Sequence, residues 1–366
     1  MRVLVYTSGG GTAHDAAAEA IAAWFHRLQP DAEVLVDQVL ESSSNTYRGG
    51  VELYAWIQRR QPWLHQLYWR AMEAEDLWKP GTVLFGRRYL IEQLRDFRPD
   101  VLISTHPHIN RGHFNLARRV VGPSLRCITC CTELAGGFGF SRNWLSRHCD
   151  LFWTLTAEVQ DEASQRRPGL MAVNLGPLLQ PEYHDAGPAP ERQSGRPLLV
   201  LGTGSNGANN HLPLLEQLLP FAAQLDVVTL CGRRPVVREQ VQAWAARHPA
   251  LAVEALGYQG PAAMADLYRR AWAVVSRPGA RTATEALFMA CPLVFNHYAT
   301  TMPQELLAPR YFKQRGLETS IRRPEALAAT VRQWLAAPEG YLALRRRYQQ
   351  HRLQASPVEI VERLRR

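Results

Sequence analysis

The chain has 366 residues, of which 46% are hydrophobic, 20% charged and 9% aromatic. This composition is globular and excludes disorder, collagen and coiled coil as descriptions of the whole chain, and the length predicts about two domains. No run of about 18 uncharged apolar residues occurs, so no transmembrane helix is expected. The N-terminal sequence lacks the basic and long apolar segments of a cleaved secretory signal.

The formal net charge is +9, and nearly all of the positive charge is arginine, since Lys79 and Lys313 are the only lysines. Arginine suits planar, bidentate contacts with phosphate. A basic chain favours an anionic partner, which here would be a nucleic acid, an anionic lipid surface or a phosphorylated substrate. Genome composition explains the preference for arginine over lysine equally well.

Short apolar runs alternate with amphipathic stretches in the first half of the chain. The apolar runs predict strands, and the amphipathic stretches between them predict helices. This βα alternation is typical of an α/β fold with a parallel sheet covered by helices. In chain order, the predicted strands are 1–8, 32–39, 98–106, 124–132 and 149–156, with helices at 16–28 and 157–166.

A second βα alternation follows a polar segment rich in proline and glycine, 181–197, which is predicted to be an interdomain linker. Residues 1–180 and 198–340 are therefore predicted to be two Rossmann-like domains, and 341–366 a basic C-terminal helix that returns toward the first domain. Ligands of such sheets lie outside the carboxyl ends of the strands, so two domains that face each other would enclose a ligand cleft. The apolar runs of the second half are 197–205, 226–232, 251–258, 271–279 and 291–298.

Three of the six cysteines, Cys127, Cys130 and Cys131, lie in an apolar stretch that predicts a buried strand. A zinc site would need a second pair of ligands at a suitable spacing, and the sequence offers no obvious pair. Free thiols in the core of a protein from a reducing compartment are therefore expected.

A glycine-rich turn, Ser8 to His14, joins the first predicted strand to the first predicted helix. Gly10 and Gly11 let the backbone turn sharply and bring its N–H groups close to a bound anion. His14 is a candidate general base, because a helix N-terminus favours the neutral imidazole that a base requires. A histidine that only caps the turn is an equal alternative.

A second glycine turn, Arg277 to Thr282, follows a predicted strand and opens a helix, so its amides and the helix dipole suit a diphosphate. One turn later, Glu285 is expected either to accept hydrogen bonds from a ribose diol or to form a salt bridge, because an unpaired buried carboxylate is costly. Two further polar turns, 201–207 and 296–305, follow predicted strands, and the amide and carboxylate groups of the latter suit sugar hydroxyls.

The order of these motifs resembles the monogalactosyldiacylglycerol synthase family, together with the related diacylglycerol glucosyltransferases and the peptidoglycan enzyme that adds N-acetylglucosamine to lipid I. The resemblance covers the chain from about residue 8 to 325. GGGTAHDAAAEAI is similar to the family's opening of three glycines and a histidine, and PDVLISTHP is similar to its strand ending in His-Pro. The stretch LGYQGPAAMADLYRRAWAVVSRPGARTATEAL resembles the family's nucleotide-binding segment, and MPQE resembles its Gly-Gln-Glu sugar loop.

The resemblance implies a GT-B fold and an inverting transfer of a hexose from a UDP-sugar to a lipid hydroxyl, such as that of diacylglycerol. It implies a site without a metal or another cofactor, with His14 between donor and acceptor. Uridine is expected near residues 257–258, ribose at Glu285, diphosphate at 278–282 and sugar at 304–305. The expected donor-binding residues are Gly10, Gly11, Gly204, Ser205, Gly257, Tyr258, Pro278, Gly279, Ala280, Arg281, Thr282, Glu285, Gln304 and Glu305.

The chain departs from the family pattern at several of these positions. The family has a glycine where this chain has Arg281, which would either supply a cation to the phosphates or block the site. The family's Thr-Asp-Leu is Thr132-Glu133-Leu134 here, and Glu133 is the second candidate for the base. Two residues are inserted before His14, and the family's acceptor segment loses its histidine in GGFGFSRNW.

Aromatic residues are interleaved with arginines between 41 and 90, a pattern that suits a segment lying on anionic lipid. Trp63, Tyr68 and Trp69 are expected to contact the acceptor or the membrane, and His106 is expected to line the acceptor site at a strand end. A helix pair with its tryptophans in the core is the alternative for this segment. Nucleic-acid binding is also compatible with the mixture, but nothing else in the sequence supports it.

These observations predict a glycosyltransferase that binds a UDP-hexose and a lipid acceptor, lies in the cytoplasm and associates peripherally with the inner face of an anionic membrane. A second hypothesis keeps the fold but has a polyprenyl-linked or soluble acceptor, or an epimerase or hydrolase reaction on the sugar nucleotide. A third is a protein that binds a sugar nucleotide or lipid without turnover, as the substitutions at Glu133 and Arg281 would allow. The sequence does not distinguish glucose from galactose.

Overall fold

The computed structural model describes residues 1–9, 11–60, 83–193, 195–202, 210–298 and 302–365, without the side chains of 54, 55 and 57–60. Six of the expected site residues lie outside these ranges: Gly10, Trp63, Tyr68, Trp69, Gly204 and Ser205. The chain divides into two compact units. Unit 1 comprises Met1–Pro181, Met302–Leu307 and Gln354–Arg366, and unit 2 comprises Glu182–Thr301 and Ala308–Leu353.

Unit 1 is built on a six-stranded sheet in the order β2-β1-β3-β4-β5-β6, in which every paired strand is parallel. The strands are β1 (Arg2–Thr7), β2 (Glu33–Gln38), β3 (Val101–Ser104), β4 (Arg126–Cys130), β5 (Leu151–Thr154) and β6 (Ala172–Asn174). The helices are α1 (Thr12–Leu28), α2 (Val39–Ser43), α3 (Asn45–Arg60), α4 (Arg87–Phe97), α5 (Gly112–Val121) and α6 (Ala157–Arg166), with 3₁₀ turns at Pro107–Ile109, Arg142–Trp144 and Pro303–Leu306.

Both faces of this sheet are covered, as the apolar character of its central strands predicts. Side chains of a strand alternate between the two faces, so Val5 and Ile103 belong to one core cluster, and Leu4 and Leu102 to the other. The first cluster includes Trp24 and other residues of the alanine-rich helix α1. Because both faces are packed, the sheet holds the loops at the ends of its strands in place.

Unit 2 has a second six-stranded parallel sheet, in the order β12-β11-β10-β7-β8-β9. The strands are β7 (Leu198–Gly202), β8 (Asp226–Leu230), β9 (Val253–Leu256), β10 (Ala273–Ser276), β11 (Leu293–Asn296) and β12 (Thr319–Ile321). The helices are α7 (Pro181–Ala186), α8 (His211–Leu218), α9 (Pro235–Arg247), α10 (Pro261–Arg270), α11 (Ala280–Phe288), α12 (Leu307–Gln314), α13 (Pro324–Ala336) and α14 (Pro338–Gln350), with a 3₁₀ turn at Leu219–Phe221.

The C-terminal segment, predicted as one helix over 341–366, forms two. Helix α14 ends at Gln350, and α15 (Pro357–Arg365) begins after a break. Pro357 explains the break, because proline is tolerated in the first turn of a helix but not in its interior. Helix α15 belongs to unit 1, where Ile360, Val361 and Leu364 join the core cluster of α1. In the predicted linker 181–197, the first six residues form α7.

Each sheet has one point at which the strand order reverses. In unit 1 the chain runs from β1 to β2 on one side and then crosses to β3 on the other, and in unit 2 it runs from β7 to β8 and β9 and then crosses to β10. Ligands of open α/β sheets bind outside the carboxyl ends of the strands at such switch points. The loops after β1 and β3, and those after β7 and β10, are therefore where a site is expected.

Two parallel sheets with helices on their faces confirm the predicted α/β class and the two Rossmann-like domains. The six cysteines are free, and five of them are buried, as predicted for core thiols. Within the described ranges, no helix is long and apolar enough to cross a membrane. Within the same ranges, no three or more His, Cys, Asp or Glu side chains form a group that could hold a metal ion.

Candidate active site

His14 lies at the switch point of unit 1. It is in the first turn of α1, directly after the glycine turn that follows β1, and its ring packs edge-on against His106, which follows β3, with centroids 4.7 Å apart. The centroid of the Trp144 ring lies 5.8 Å from that of the His14 ring. The structure thus brings together two predicted site residues that are 92 positions apart, because β1 and β3 are neighbours in the sheet.

The imidazole of His14 is held by a hydroxyl. Its Nδ1 lies 3.2 Å from the Thr132 Oγ1, just beyond the end of β4. A base oriented by a second group through one ring nitrogen is the arrangement that general-base catalysis uses. Thr132 is therefore a candidate site residue that the sequence did not single out by itself, and its only signal was its place beside Glu133.

Burial shifts the pKa values of the two candidate bases in opposite directions. Desolvation lowers the pKa of His14 from 6.5 to about 4, outweighing the opposing effect of the Thr105 backbone, so the ring is neutral at pH 7. Desolvation also raises the pKa of Glu133 from 4.5 to about 8, so its carboxyl is mostly protonated at pH 7. At neutral pH His14 is therefore an uncharged imidazole, and Glu133 is mostly a protonated carboxyl.

His106 has a structural role in addition to its place beside His14. Its Nδ1 accepts a hydrogen bond from the His108 N–H at 3.3 Å and caps the 3₁₀ turn Pro107–Ile109. Burial, together with His14 and His108 nearby, holds the pKa of His106 well below its usual value. A neutral ring with an occupied Nδ1 can still present its Nε2 to an acceptor molecule.

The glycine turn after β1 is already occupied by a carboxylate of the protein. Glu41 Oε1 accepts hydrogen bonds from the Gly9 N–H at 2.6 Å and from the Ser8 hydroxyl at 3.0 Å. Burial and the nearby Asp15 raise the pKa of Glu41, although these hydrogen bonds oppose the shift. The N-terminal sequence motif predicted a place for an external anion, and the structure shows an internal one at Gly9. Gly11, the other described residue expected to bind the donor here, is the N-cap of α1, and its carbonyl accepts a hydrogen bond from the His14 N–H at 3.1 Å.

At the switch point of unit 2, the N-terminus of helix α11 has no side-chain cap. Residues Arg277 to Gly279 follow β10, and Gly279 precedes α11 without any side-chain hydrogen bond to cap the helix. A Cβ placed on Gly279 would meet nothing within 4 Å, so an external group can approach this backbone. Ala280, Arg281 and Thr282 form the first turn of α11, as the sequence predicted, and their amides point toward the N-terminal end.

Glu285, one turn into α11, has partners from within the protein. Its Oε1 lies 2.8 Å from the Arg281 Nε, and its Oε2 accepts a hydrogen bond from the Tyr268 hydroxyl at 3.0 Å. The Glu285 side chain is 4% exposed, against 22% for Arg281. Of the two expected partners of this carboxylate, ribose or a salt bridge, the structure shows the salt bridge.

An aromatic side chain stands at the edge of the same sheet. Tyr258, which follows β9, exposes 52% of its surface, and the Arg233 guanidinium lies 4.5 Å from its ring centroid. Arg233 follows β8 and the left-handed Gly232, whose carbonyl is next to Gly257. The sequence predicted Tyr258 and Gly257 in a uridine site, but it did not predict Arg233, because a cation–π contact between loops of different strands leaves no local pattern.

The segment expected to contact the sugar, Met302–Leu307, belongs to unit 1. It forms a single 3₁₀ turn in which the Glu305 Oε2 accepts a hydrogen bond from the Met302 N–H at 2.9 Å. Its Pro303 carbonyl abuts Gly139, whose positive φ of 94° and lack of a side chain permit this close approach. One oxygen of the Glu305 carboxylate therefore stabilises the turn that also presents Gln304.

Only part of the predicted membrane segment is described. On α3, Leu53 and Trp56 are one turn apart and expose 49% and 46% of their surfaces. Leu84 and Phe85, just before α4, are also exposed, and the Phe85 ring packs against Tyr47 of α3. Exposed large apolar side chains one turn apart on a helix form an apolar stripe.

The sequence of the chain matches a family of lipid glycosyltransferases. The family model described as monogalactosyldiacylglycerol (MGDG) synthase matches residues 14–170. The processive diacylglycerol beta-glucosyltransferase of Bacillus subtilis (strain 168) is 23% identical over 259 residues, which are 69% of this chain and 64% of that protein. This similarity supports the predicted resemblance to the monogalactosyldiacylglycerol synthase family, of which the chain would be a divergent member. The match spans less than two thirds of the relative's own length.

Solved structures resemble the chain along its whole length. MurG of Acinetobacter baumannii has a TM-score of 0.61 and 17% identity, covering 100% of this chain and 99% of its own. The spinosyn rhamnosyltransferase SpnG, in a complex with thymidine diphosphate, has a TM-score of 0.60 and 14% identity, covering 100% of both chains. These similarities confirm the predicted GT-B fold. At such low identity they establish the fold alone.

Proposed function

We propose that this protein is a glycosyltransferase that moves a hexose from a UDP-sugar to the hydroxyl of a diacylglycerol-type lipid. The observation that carries the proposal is the neutral, oriented His14 at the switch point of unit 1, in a chain that is similar to lipid glycosyltransferases. The open N-terminus of α11 in unit 2 supports a nucleotide site, since helix N-termini bind phosphate groups.

In this proposal the acceptor hydroxyl lies beside His14. The imidazole takes the proton of the hydroxyl while its oxygen attacks the anomeric carbon of the sugar. The new carbon–oxygen bond forms on the face opposite the bond to UDP, and UDP leaves with the bonding electron pair. One displacement inverts the anomeric centre, and no covalent nucleophile of the protein is needed.

The nucleotide part of the donor is assigned to unit 2. Tyr258 is proposed to stack on the uracil base, and the turn 278–282 to hold the diphosphate, with Gln304 and Glu305 proposed to contact the sugar. The charge that develops on UDP would be met by the amides of α11 and by arginine side chains, without a metal ion. Glu285 is proposed to contact the ribose, since each of its oxygens has one protein partner and can accept a second hydrogen bond.

The acceptor is proposed to reach the protein from an anionic membrane surface. The exposed Leu53 and Trp56 on α3 and the net charge of +9 support this location, because an apolar stripe and positive charge together favour an interface with anionic lipid. The proposed location is the cytoplasmic face of that membrane.

The direct test is release of UDP from UDP-glucose, UDP-galactose and UDP-N-acetylglucosamine, with and without diacylglycerol in anionic liposomes. Release that depends on diacylglycerol, from one preferred donor, and that survives treatment with a chelator, is the expected result. Release without any acceptor would instead indicate hydrolysis, and a change of sugar configuration without release would indicate epimerisation. Binding of UDP with no reaction under any lipid would overturn the transferase assignment.

A further inference from the structure

We infer that Tyr268 is a positioning residue of the nucleotide site. Its hydroxyl fixes the orientation of the Glu285 carboxylate, and this orientation determines how strongly the protein prefers a ribose to a deoxyribose. The inference rests on the proposed contact between Glu285 and the ribose of the donor. The sequence did not single out Tyr268, because its partner lies on another helix, 17 positions further along the chain.

The Glu285 carboxylate is held at both of its oxygens. Its Oε1 lies 2.8 Å from the Arg281 Nε, in an ion pair between residues one turn apart on α11. Its Oε2 accepts a hydrogen bond from the Tyr268 hydroxyl at 3.0 Å. The second contact comes from a different helix, because Tyr268 belongs to α10. The Glu285 side chain is only 4% exposed, so both contacts lie inside the protein.

The contact with Tyr268 decides the plane of this carboxylate. The terminal torsion of a glutamate side chain has a broad distribution, so a contact at one oxygen alone leaves the group free to turn about its last bond. The ion pair with Arg281 anchors Oε1, and the hydroxyl of Tyr268 then anchors Oε2. Once both oxygens are anchored, the directions of their remaining electron pairs are set as well.

The two anchored oxygens keep the capacity to bind a diol. Each carboxylate oxygen has two acceptor sites, so the bond to Arg281 or to Tyr268 leaves a second site on the same oxygen. The two neighbouring hydroxyls of a ribose are both donors and match two such sites. A 2′-deoxyribose supplies only one hydroxyl, so the other site would lose its partner, which is costly in a buried carboxylate.

Tyr268 itself is a hydrogen-bond donor enclosed by the protein. It is 1% exposed, and its ring lies 6.3 Å from the ring of the buried Tyr183, measured between centroids. Burial, and after it the nearby Glu285, raise the pKa of Tyr268 well above its usual value, so the hydroxyl keeps the proton that it donates. A residue enclosed in this way acts on a ligand through Glu285.

The experiment measures the affinities of UDP and 2′-deoxy-UDP by isothermal titration calorimetry. Wild type is expected to bind UDP roughly 10- to 100-fold more tightly, the equivalent of one hydrogen bond to a charged group. Tyr268→Phe keeps the ring and removes the hydroxyl, and it is expected to reduce this preference by about 2- to 10-fold. A merely structural loss would weaken both nucleotides equally and leave the preference unchanged.

Tyr348→Phe is the matched control. Tyr348 is also a fully buried tyrosine of unit 2, but its hydroxyl bonds the backbone of Leu293, so the preference for UDP should stay as in wild type. Tyr268→Met fills the space without a hydroxyl and should behave as Tyr268→Phe, which provides a second variant if one of them fails to fold. Circular dichroism identifies such a variant.

A double variant tests whether Tyr268 acts through the carboxylate. Glu285→Gln is expected to bind UDP and 2′-deoxy-UDP within about threefold of each other, because it removes the charged acceptor. Adding Tyr268→Phe to Glu285→Gln should reduce the preference no further, because two residues that act as one unit are not additive.

Two results would overturn the inference while the proposed donor class stands. One is a preference for UDP in Tyr268→Phe and Tyr268→Met that equals that of wild type. The other is a reduction by Tyr268→Phe that is as large in the Glu285→Gln background as in wild type. Equal binding of UDP and 2′-deoxy-UDP by wild type would refute the ribose contact of Glu285, and the inference with it. Wild type that binds no uridine nucleotide at all would instead refute the proposed function.

Discussion

The Thr132 Oγ1 lies 3.2 Å from the His14 Nδ1, and these two residues are 118 positions apart in the chain. The contact joins the loop after β4 to the first turn of α1. A ring held at Nδ1 can direct its Nε2 toward a substrate, so the hydroxyl acts on the reaction through the orientation of the imidazole.

Replacement of Thr132 by valine removes this hydrogen bond and nearly preserves the volume. We expect kcat to fall by about 2- to 10-fold, the equivalent of one hydrogen bond, with the KM for the nucleotide donor unchanged. Thr132→Ser restores the hydroxyl and should recover most of the rate. Equal rates for the valine and serine variants would show that the hydroxyl does not orient the base.

The pH dependence of kcat/KM distinguishes the two candidate bases. With His14 as the base, whose pKa is lowered to about 4, the rate should be flat between pH 6 and 8, because the ring is already neutral. With Glu133, whose pKa is raised to about 8, the rate would climb about tenfold per pH unit up to pH 8. His14→Gln should lower kcat by about 10²- to 10⁴-fold, whereas His26→Gln, at the exposed end of the same helix, should leave it unchanged.

Glu133 should make stability depend on pH above neutrality. Its pKa is about 8 in the folded protein and 4.5 without burial, so the folded state holds a proton that the unfolded state has lost between these values. The free energy of unfolding therefore falls as pH rises through this window. Between pH 7 and 8.5, the urea midpoint should fall for wild type.

The matched variants for this effect are Glu133→Gln and Glu359→Gln. The first removes the titrating carboxyl and should have a smaller fall in the urea midpoint than wild type. The second changes an exposed glutamate of α15 and should behave as wild type. A fall of equal size in Glu133→Gln and wild type would contradict the raised pKa.

Tyr258 should contribute to nucleotide affinity through its ring. We expect Tyr258→Ala to weaken UDP by about 1–3 kcal/mol, the range for stacking of one base on an aromatic side chain, and Tyr258→Phe to bind nearly as wild type. Arg233→Ala should have a smaller effect in the same direction, because Arg233 lies against the ring. Arg332→Ala, which removes a cation–π contact with Phe221, is the control and should not change UDP affinity.

The exposed stripe on α3 should bind lipid. The Leu53→Glu/Trp56→Glu variant places two charges on this stripe and is expected to reduce flotation with anionic liposomes several-fold, because apolar burial at the interface is lost. Val236→Glu changes an even more exposed apolar residue of unit 2 and should float as wild type. Flotation of the double variant at the level of wild type would exclude this stripe as the lipid contact.

Local pattern was sufficient to predict the architecture. The alternation of apolar and amphipathic stretches predicted two βα domains. The glycine turns after strands predicted where His14 lies and where α11 begins. These features follow from short-range periodicity and from the few backbone angles that glycine alone adopts freely. The cost of an unpaired buried carboxylate also predicted, from the sequence, that Glu285 needs a partner.

Only the tertiary structure decided which partners the site residues have. Strand order brings Thr132 to His14, Glu41 to the turn at Gly9, Arg233 to Tyr258 and Tyr268 to Glu285. Each contact joins residues far apart in the chain, so no local periodicity encodes it. Burial then sets the pKa of His14 and Glu133 in opposite directions, because the cost of charging a group depends on what surrounds it in space. Sequence therefore determined the elements and the residue types at their ends, and packing determined which of those residues are charged, paired or free to act.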